Sequence, residues 1–116
     1  MVKDSSKLRV QLSGIIDQDS IRKAEASIFD FWDGNNSEII VDISKVLELP
    51  AALLPALLKL YLQCKTYHIQ LYFIAPSPRI FLVFRKAGLL EILPVFLSRD
   101  EYLQGNRIKL SENKFI

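Results

Sequence analysis

The sequence is poor in the residues from which small proteins build covalent, metal and nucleotide chemistry. In 116 residues it has one cysteine, Cys64, and one histidine, His68. An intrachain disulfide is therefore impossible, and so is a Cys₂His₂ or Cys₄ zinc site drawn from this chain. Its four glycines form no Gly-x-x-x-x-Gly-Lys-Ser/Thr phosphate loop and no Gly-x-Ser-x-Gly nucleophile elbow, and there is no His-Glu-x-x-His helix. No cofactor and no metal are expected. No run reaches the roughly 18 apolar residues of a membrane span, and residues 1–8 lack the apolar core of a secretory signal. A cytoplasmic location is the expectation. Charge is nearly balanced: 15 Lys and Arg against 13 Asp and Glu leave a formal +2. These charges are scattered rather than gathered into the basic stripe of a nucleic-acid-binding surface.

What is present is apolar residues, at half of the composition, enough for a core without covalent staples. The length fits one domain over residues 1–116, with polar ends, 1–6 and 104–116, that are expected to be loosely ordered. Leu8-Arg9-Val10-Gln11-Leu12 alternates with period two and reads as a half-buried strand ended by Gly14. Asp19 or Ser20 then offers an oxygen to cap a helix. Ile21, Ala24, Ile28, Phe31 and Trp32 give that helix one apolar stripe, and Gly34-Asn35-Asn36 stops it. Ile39-Ile40-Val41 is a continuous β-branched run, as in a strand covered on both faces, and it ends in Asp42 and a short polar turn. Residues 51–67 make a Leu-rich helix and residues 69–74 another strand. Pro76-Ser77-Pro78 opens a helix to Lys86 that Gly88 stops. Val95-Phe96-Leu97 is a short last strand, and Ser98 caps a final helical turn. Strands alternating with helices of about three turns predict an α/β fold: a small mixed sheet of about four strands against three to four helices.

Four short segments, in order, resemble the STAS domain family of anti-sigma factor antagonists. They are Gly14-Ile15-Ile16-Asp17, Asp42-Ile43-Ser44-Lys45-Val46, the stretch from Cys64 to Ile74, and Ala87-Gly88-Leu89-Leu90-Glu91-Ile92-Leu93-Pro94-Val95. Two features depart from the family. An extra N-terminal strand has little room before Gly14. The family's helix start carries a phosphoacceptor hydroxyl, whereas the matching positions here are Pro50, Ala51, Ala52 and Leu53. Ala52 stands where that acceptor is expected, and it has no O–H to accept phosphate. The resemblance implies a non-catalytic protein-interaction module docking onto an anti-sigma factor that is also a serine kinase. The contact residues it implies are Asp17, Ser44, Pro50, Ala51, Ala52 and Leu54, with Ser77 at the rim. The other role it implies is a subunit that binds the ATPase of an ABC-type lipid-transport complex.

The remaining chemistry-bearing residues have ordinary structural roles available. Asp17, Asp19 and Asp42 could be a carboxylate cluster, and capping or partner contact is the simpler reading. His68 suits a solvated turn, and Cys64 a buried thiol. Phe31 and Trp32 read as core. Lys59, Lys65, Arg79, Arg85 and Lys86 read as solvated helix faces, and Ser77 as a cap. Pro50 is suited to a helix start, yet Pro55 would break a hydrogen bond inside a helix already begun. The helix entrance should therefore be distorted, either because the regular helix starts later, near Leu53 or Leu54, or because the helix is kinked. The surplus of leucines on that helix, Leu53 and Leu54 above all, predicts a face for a protein partner or for a second copy.

Overall fold

The computed structural model describes residues 7–34 and 37–108. Four strands, β1 (Lys7–Ile15), β2 (Ser37–Glu48), β3 (Ile69–Ile74) and β4 (Val95–Phe96), lie in the order β1-β2-β3-β4. Helices α1 (Gln18–Phe31), α2 (Leu54–Thr66) and α3 (Pro78–Lys86) connect them, and α4 (Arg99–Leu103) follows β4. The α/β class and the strand count are as the periodicity predicts. The sheet is wholly parallel rather than mixed, because a helical crossover separates every strand from the next.

Sequential parallel strands joined by crossovers of one hand place the three crossover helices, α1, α2 and α3, on one face of the sheet. That face holds the main core: Ile39, Val41, Leu71, Phe73 and Val95 from the strands meet Ile21, Ala24 and Ile28 of α1, Leu57, Leu60 and Cys64 of α2, and Ile80, Phe81 and Phe84 of α3. Alternation along the strands sends Ile40, Tyr72, Ile74 and Phe96 to the opposite face. There Tyr102 of α4 covers them, stacked on Tyr72 at 3.6 Å between ring centroids. Glu38 anchors this side by accepting from the Tyr72 hydroxyl and from Arg99 Nε at 3.0 Å.

Local chemistry sets the element ends, in places against expectation. The N-cap of α1 is Asp17, not Asp19 or Ser20. Ser20 is the third helical residue and closes a reciprocal capping box, its N–H donating to Asp17 Oδ1 at 2.8 Å. Asp19 instead pairs with Lys23 one turn on, at 3.1 Å. Helix α1 ends at Phe31, with Trp32 as its C-cap, before Gly34 at φ +93°; Asn35 and Asn36 lie outside the described residues. Pro55 falls in the first turn of α2, which a single 3₁₀ turn at residues 51–53 precedes. The predicted late start of that helix is thus what the fold adopts, and it avoids the interior proline penalty. Part of the expected loose tail is tied down: Ile108 is fully buried and donates its N–H to Val95 O at 2.8 Å, while Arg107 donates to Leu90 O and Leu93 O. Residues 109–116 lie outside the described residues.

Candidate partner-contact surface

Asp42 does not end its strand. β2 runs on for six residues beyond its last pairing with β3, Asp42 with Ile74, and stays paired with β1 as a projecting two-stranded ribbon. The register shows how. Gln11 faces Asp42 but Ser13 faces Lys45, and Gly14 faces Val46 but Ile15 faces Glu48. Each shift adds one residue to β2, so the ribbon carries two bulges. Inward residues therefore recur every third position, at Ile43, Val46 and Leu49, with the pairs Ser44-Lys45 and Leu47-Glu48 exposed between them.

The first bulge is held by the buried Asp42. Its Oδ1 accepts the Ser44 N–H at 2.9 Å, and its Oδ2 accepts from Arg9 at 2.6 Å across the strand pair. Burial by itself would raise the carboxyl pKa, but the Ser44 N–H, the Ser44 hydroxyl and the Arg9 guanidinium outweigh it and hold the group below its usual range. Asp42 is thus a strut for the ribbon. Gly14, at φ +69°, supplies the left-handed residue on the facing strand.

In a parallel sheet all carboxyl ends share one edge, and helices begin there. Asp17 after β1, Pro50 after β2 and Ser77 after β3 consequently lie on the same edge. Asp17 and Pro50 leave the tip of the ribbon together, tied by the Ile16 N–H to Glu48 O bond at 3.0 Å. The Asp17 carboxyl is exposed and held below its usual pKa, chiefly by the Ser20 backbone N–H. Ala51 and Ala52 are exposed in the 3₁₀ turn, and Pro50 is half-buried. Ser44 is exposed in the first bulge. Leu54 and Leu53, expected to face a partner, are half-buried and pack on the main core instead. Ser77 caps α3, its Oγ accepting from the Ile80 N–H at 3.3 Å, and it follows β3 rather than the ribbon.

Two residues that the sequence reading passed over complete this surface. Ile15 is 63% exposed and Leu47 is 67% exposed, and they sit on neighbouring positions of the paired strand ends. A signal for them exists. In Ile15-Ile16 and in Val46-Leu47 two apolar residues are adjacent, and a strand can bury only one of two neighbours against a single core. The apolar residues at this end of the ribbon are Ile15, Leu47, Ala51 and Ala52, all exposed, and the half-buried Pro50, with exposed Asp17, Lys45 and Glu48 among them.

The carboxylate cluster does not assemble. Asp17 is at the ribbon tip, Asp42 is engaged by Arg9 and Ser44, and His68 precedes β3 at the opposite, amino-terminal edge of the sheet. Cys64 is buried in the main core, with its thiol pKa pushed up to about 11, first by burial and then by the Glu25 charge.

The bulged strand, the distorted helix start and the three-helix layer can be set beside known proteins. The family profile described as the STAS domain matches residues 1–102. The chain belongs to the STAS domain family. Its fold is shared with a sulfate transporter family protein from Wolinella succinogenes, at a TM-score of 0.72 and 17% identity over 91% of this chain and 88% of that one. It is also shared with the anti-sigma factor antagonist SpoIIAA in its unphosphorylated form, at a TM-score of 0.64 and 16% identity over 90% and 93% of the two chains. No curated protein sequence matches the chain. Among the described residues of this STAS domain, no helix is long and apolar enough to cross a membrane.

Proposed function

We propose that this STAS domain is a non-catalytic, cytoplasmic interaction module. It docks onto a protein partner through the tip of the β1–β2 ribbon and the start of α2. The observation that carries this reading is the exposed apolar surface at that tip, Ile15 and Leu47 beside Ala51 and Ala52. Exposed apolar groups gathered at one edge are the usual mark of a contact surface. Asp17 and Ser44 supply polar contacts at its margin, Pro50 and Leu54 shape the turn, and Ser77 lies at the rim. The partner is an anti-sigma factor that doubles as a serine kinase, in a bacterial partner-switching system. Because Ala52 has no hydroxyl, that kinase cannot release the complex by phosphorylating this position. Binding is constitutive, or set by how much free partner there is.

A second reading draws on the same missing hydroxyl and on the range of roles that STAS domains serve. In it the module binds the ATPase of an ABC-type lipid-transport complex, and no kinase is needed. Self-association through the same apolar edge is the third arrangement that would cover it.

The test is a native pull-down of the tagged full chain with mass spectrometry, run beside an Ala52→Glu variant that puts a charge on the apolar turn. Recovery of a GHKL-type serine kinase that the variant loses supports partner switching. Recovery of an ABC ATPase, lost in the same way, moves the assignment to the second reading. Self-association alone, or a partner retained unchanged by the variant, overturns both.

A further inference from the structure

A second surface lies at the opposite pole of the domain, where α1 and α2 end. Trp32 is the C-cap of α1 and Tyr67 is the C-cap of α2. With Phe29 they form a triangle of rings, with centroids 5.0 Å apart for Trp32 and Tyr67, 5.9 Å for Phe29 and Tyr67, and 6.5 Å for Phe29 and Trp32. Interplanar angles of 50°, 81° and 88° mean that the rings are inclined to one another rather than stacked flat. With Glu25, Ala26 and Gln63 they line an open concavity of about 590 Å³.

The charged and dipolar features around this concavity are predominantly negative. Aromatic faces are negative, and a cation over the outward face of any one of these inclined rings would lie close to the other two. Glu25 lines the wall. Both helices point their carboxyl ends, the negative poles of their dipoles, toward it. The last turn of α1 contains no basic residue to offset that pole. Lys65, in the last turn of α2, lines a separate concavity beside β3. Gln63 also lines the wall; its buried Oε1 has no donor among the described residues and would have to turn outward to accept from a bound group. A planar cation with several N–H donors complements this set, so arginine fits better than lysine.

We infer that the Phe29–Trp32–Tyr67 cup is a recognition site for an arginine side chain presented by a basic segment of a protein partner. The open shape favours a side chain delivered by a protein over a free small molecule, which needs a deeper enclosure to bury most of its surface. The site is independent of the ribbon tip, so a partner could hold both ends of the domain, or two partners could bind at once.

Trp32 is the only tryptophan, so its indole N–H signal in a ¹H–¹⁵N spectrum of the full chain reports this site alone. Acetylated, amidated hexa-arginine should shift that signal saturably, and hexa-glutamate should not. Tyr67→Ala and Glu25→Gln should each weaken the binding at least about fivefold while leaving the circular dichroism spectrum intact. The inference is overturned by an equal response to hexa-glutamate, or by unchanged affinity in both variants. It is also overturned if tetramethylammonium binds as tightly as the peptide, since that would assign the cup to a small ligand. None of these results bears on the ribbon tip, which the pull-down tests separately.

Discussion

Replacing Asp42 with asparagine isolates the charge that holds the ribbon while keeping the side chain's shape. The carboxylate makes two bonds, one from the Ser44 N–H and one from Arg9. A hydrogen bond to a charged group is worth roughly 1.5–3 kcal/mol net. The Arg9 share must be discounted, because that side chain is 55% exposed and the pair is screened by water. Asparagine keeps an acceptor for Ser44 but turns an amide toward the guanidinium. The expected loss at pH 7 is about 1.5 kcal/mol, a fall of roughly 6 °C in thermal midpoint for a chain of this size. Arg9→Ala should cost less, about 0.5–1 kcal/mol, and the double variant should show coupling of similar size. The folded-state pKa of Asp42 is depressed, so its contribution is complete above the ordinary carboxylate value and is lost as pH falls through the folded one. Wild type and Asp42→Asn should therefore begin to converge in stability only below about pH 4 and meet once the pH is under the depressed folded-state value. Urea titrations at several pH values, followed by Trp32 fluorescence, measure all of this. A variant within about 0.3 kcal/mol of wild type at pH 7 would refute the strut, as would a stability gap that persists unchanged in acid.

Three further outcomes test other parts of the structure. Cys64, buried and with its thiol pKa near 11, should not react with a thiol reagent at pH 8 in the native state and should react at once in denaturant; rapid native labelling would contradict its place on the buried face of α2. His68 holds φ +60° on an exposed turn, so His68→Gly should raise unfolding free energy by about 0.5–1 kcal/mol, read by urea titration, and a loss would mean the side chain has a structural partner. Phe84 is fully buried where α3 meets Phe73, so Phe84→Ala should cost about 3–5 kcal/mol, leaving the chain marginal or unfolded by circular dichroism, whereas a cost under 1 kcal/mol would place this ring outside the core.

Period-two alternation in β1, continuous β-branched and apolar runs in the inner strands, and helical stripes bounded by Pro and Gly located the four strands and the three long helices, because burial and chain breaks write themselves into the local sequence. The same patterns misread residues 42–48 as a turn. Bulges convert alternation into a three-residue repeat, and a bulge is a relation between two strands that neither strand's sequence states. Capping at Asp17 was missed for a smaller reason: three neighbouring oxygens could serve, and only the entry path of the chain from Ile16 selects among them. Lys109–Ile116 aside, the tail was misjudged because Ile108 is buried by a contact with β4 that local polarity does not reveal.

For the candidate surface the division is similar. The sequence by itself determined that Ala52 cannot accept phosphate, that Pro50 and Pro55 distort the entrance of α2, and that disulfides within the chain are impossible, since these follow from side-chain chemistry alone. Only the tertiary structure decided that Leu53 and Leu54 pack inward while Ile15 and Leu47 face out. It also carried Trp32 and Tyr67, thirty-five positions apart in the numbering, to one cup at the end of two helices. The physical reason is that an apolar residue is exposed or buried only relative to what the rest of the chain lays over it, and parallel crossovers bring together helix ends that are distant in sequence.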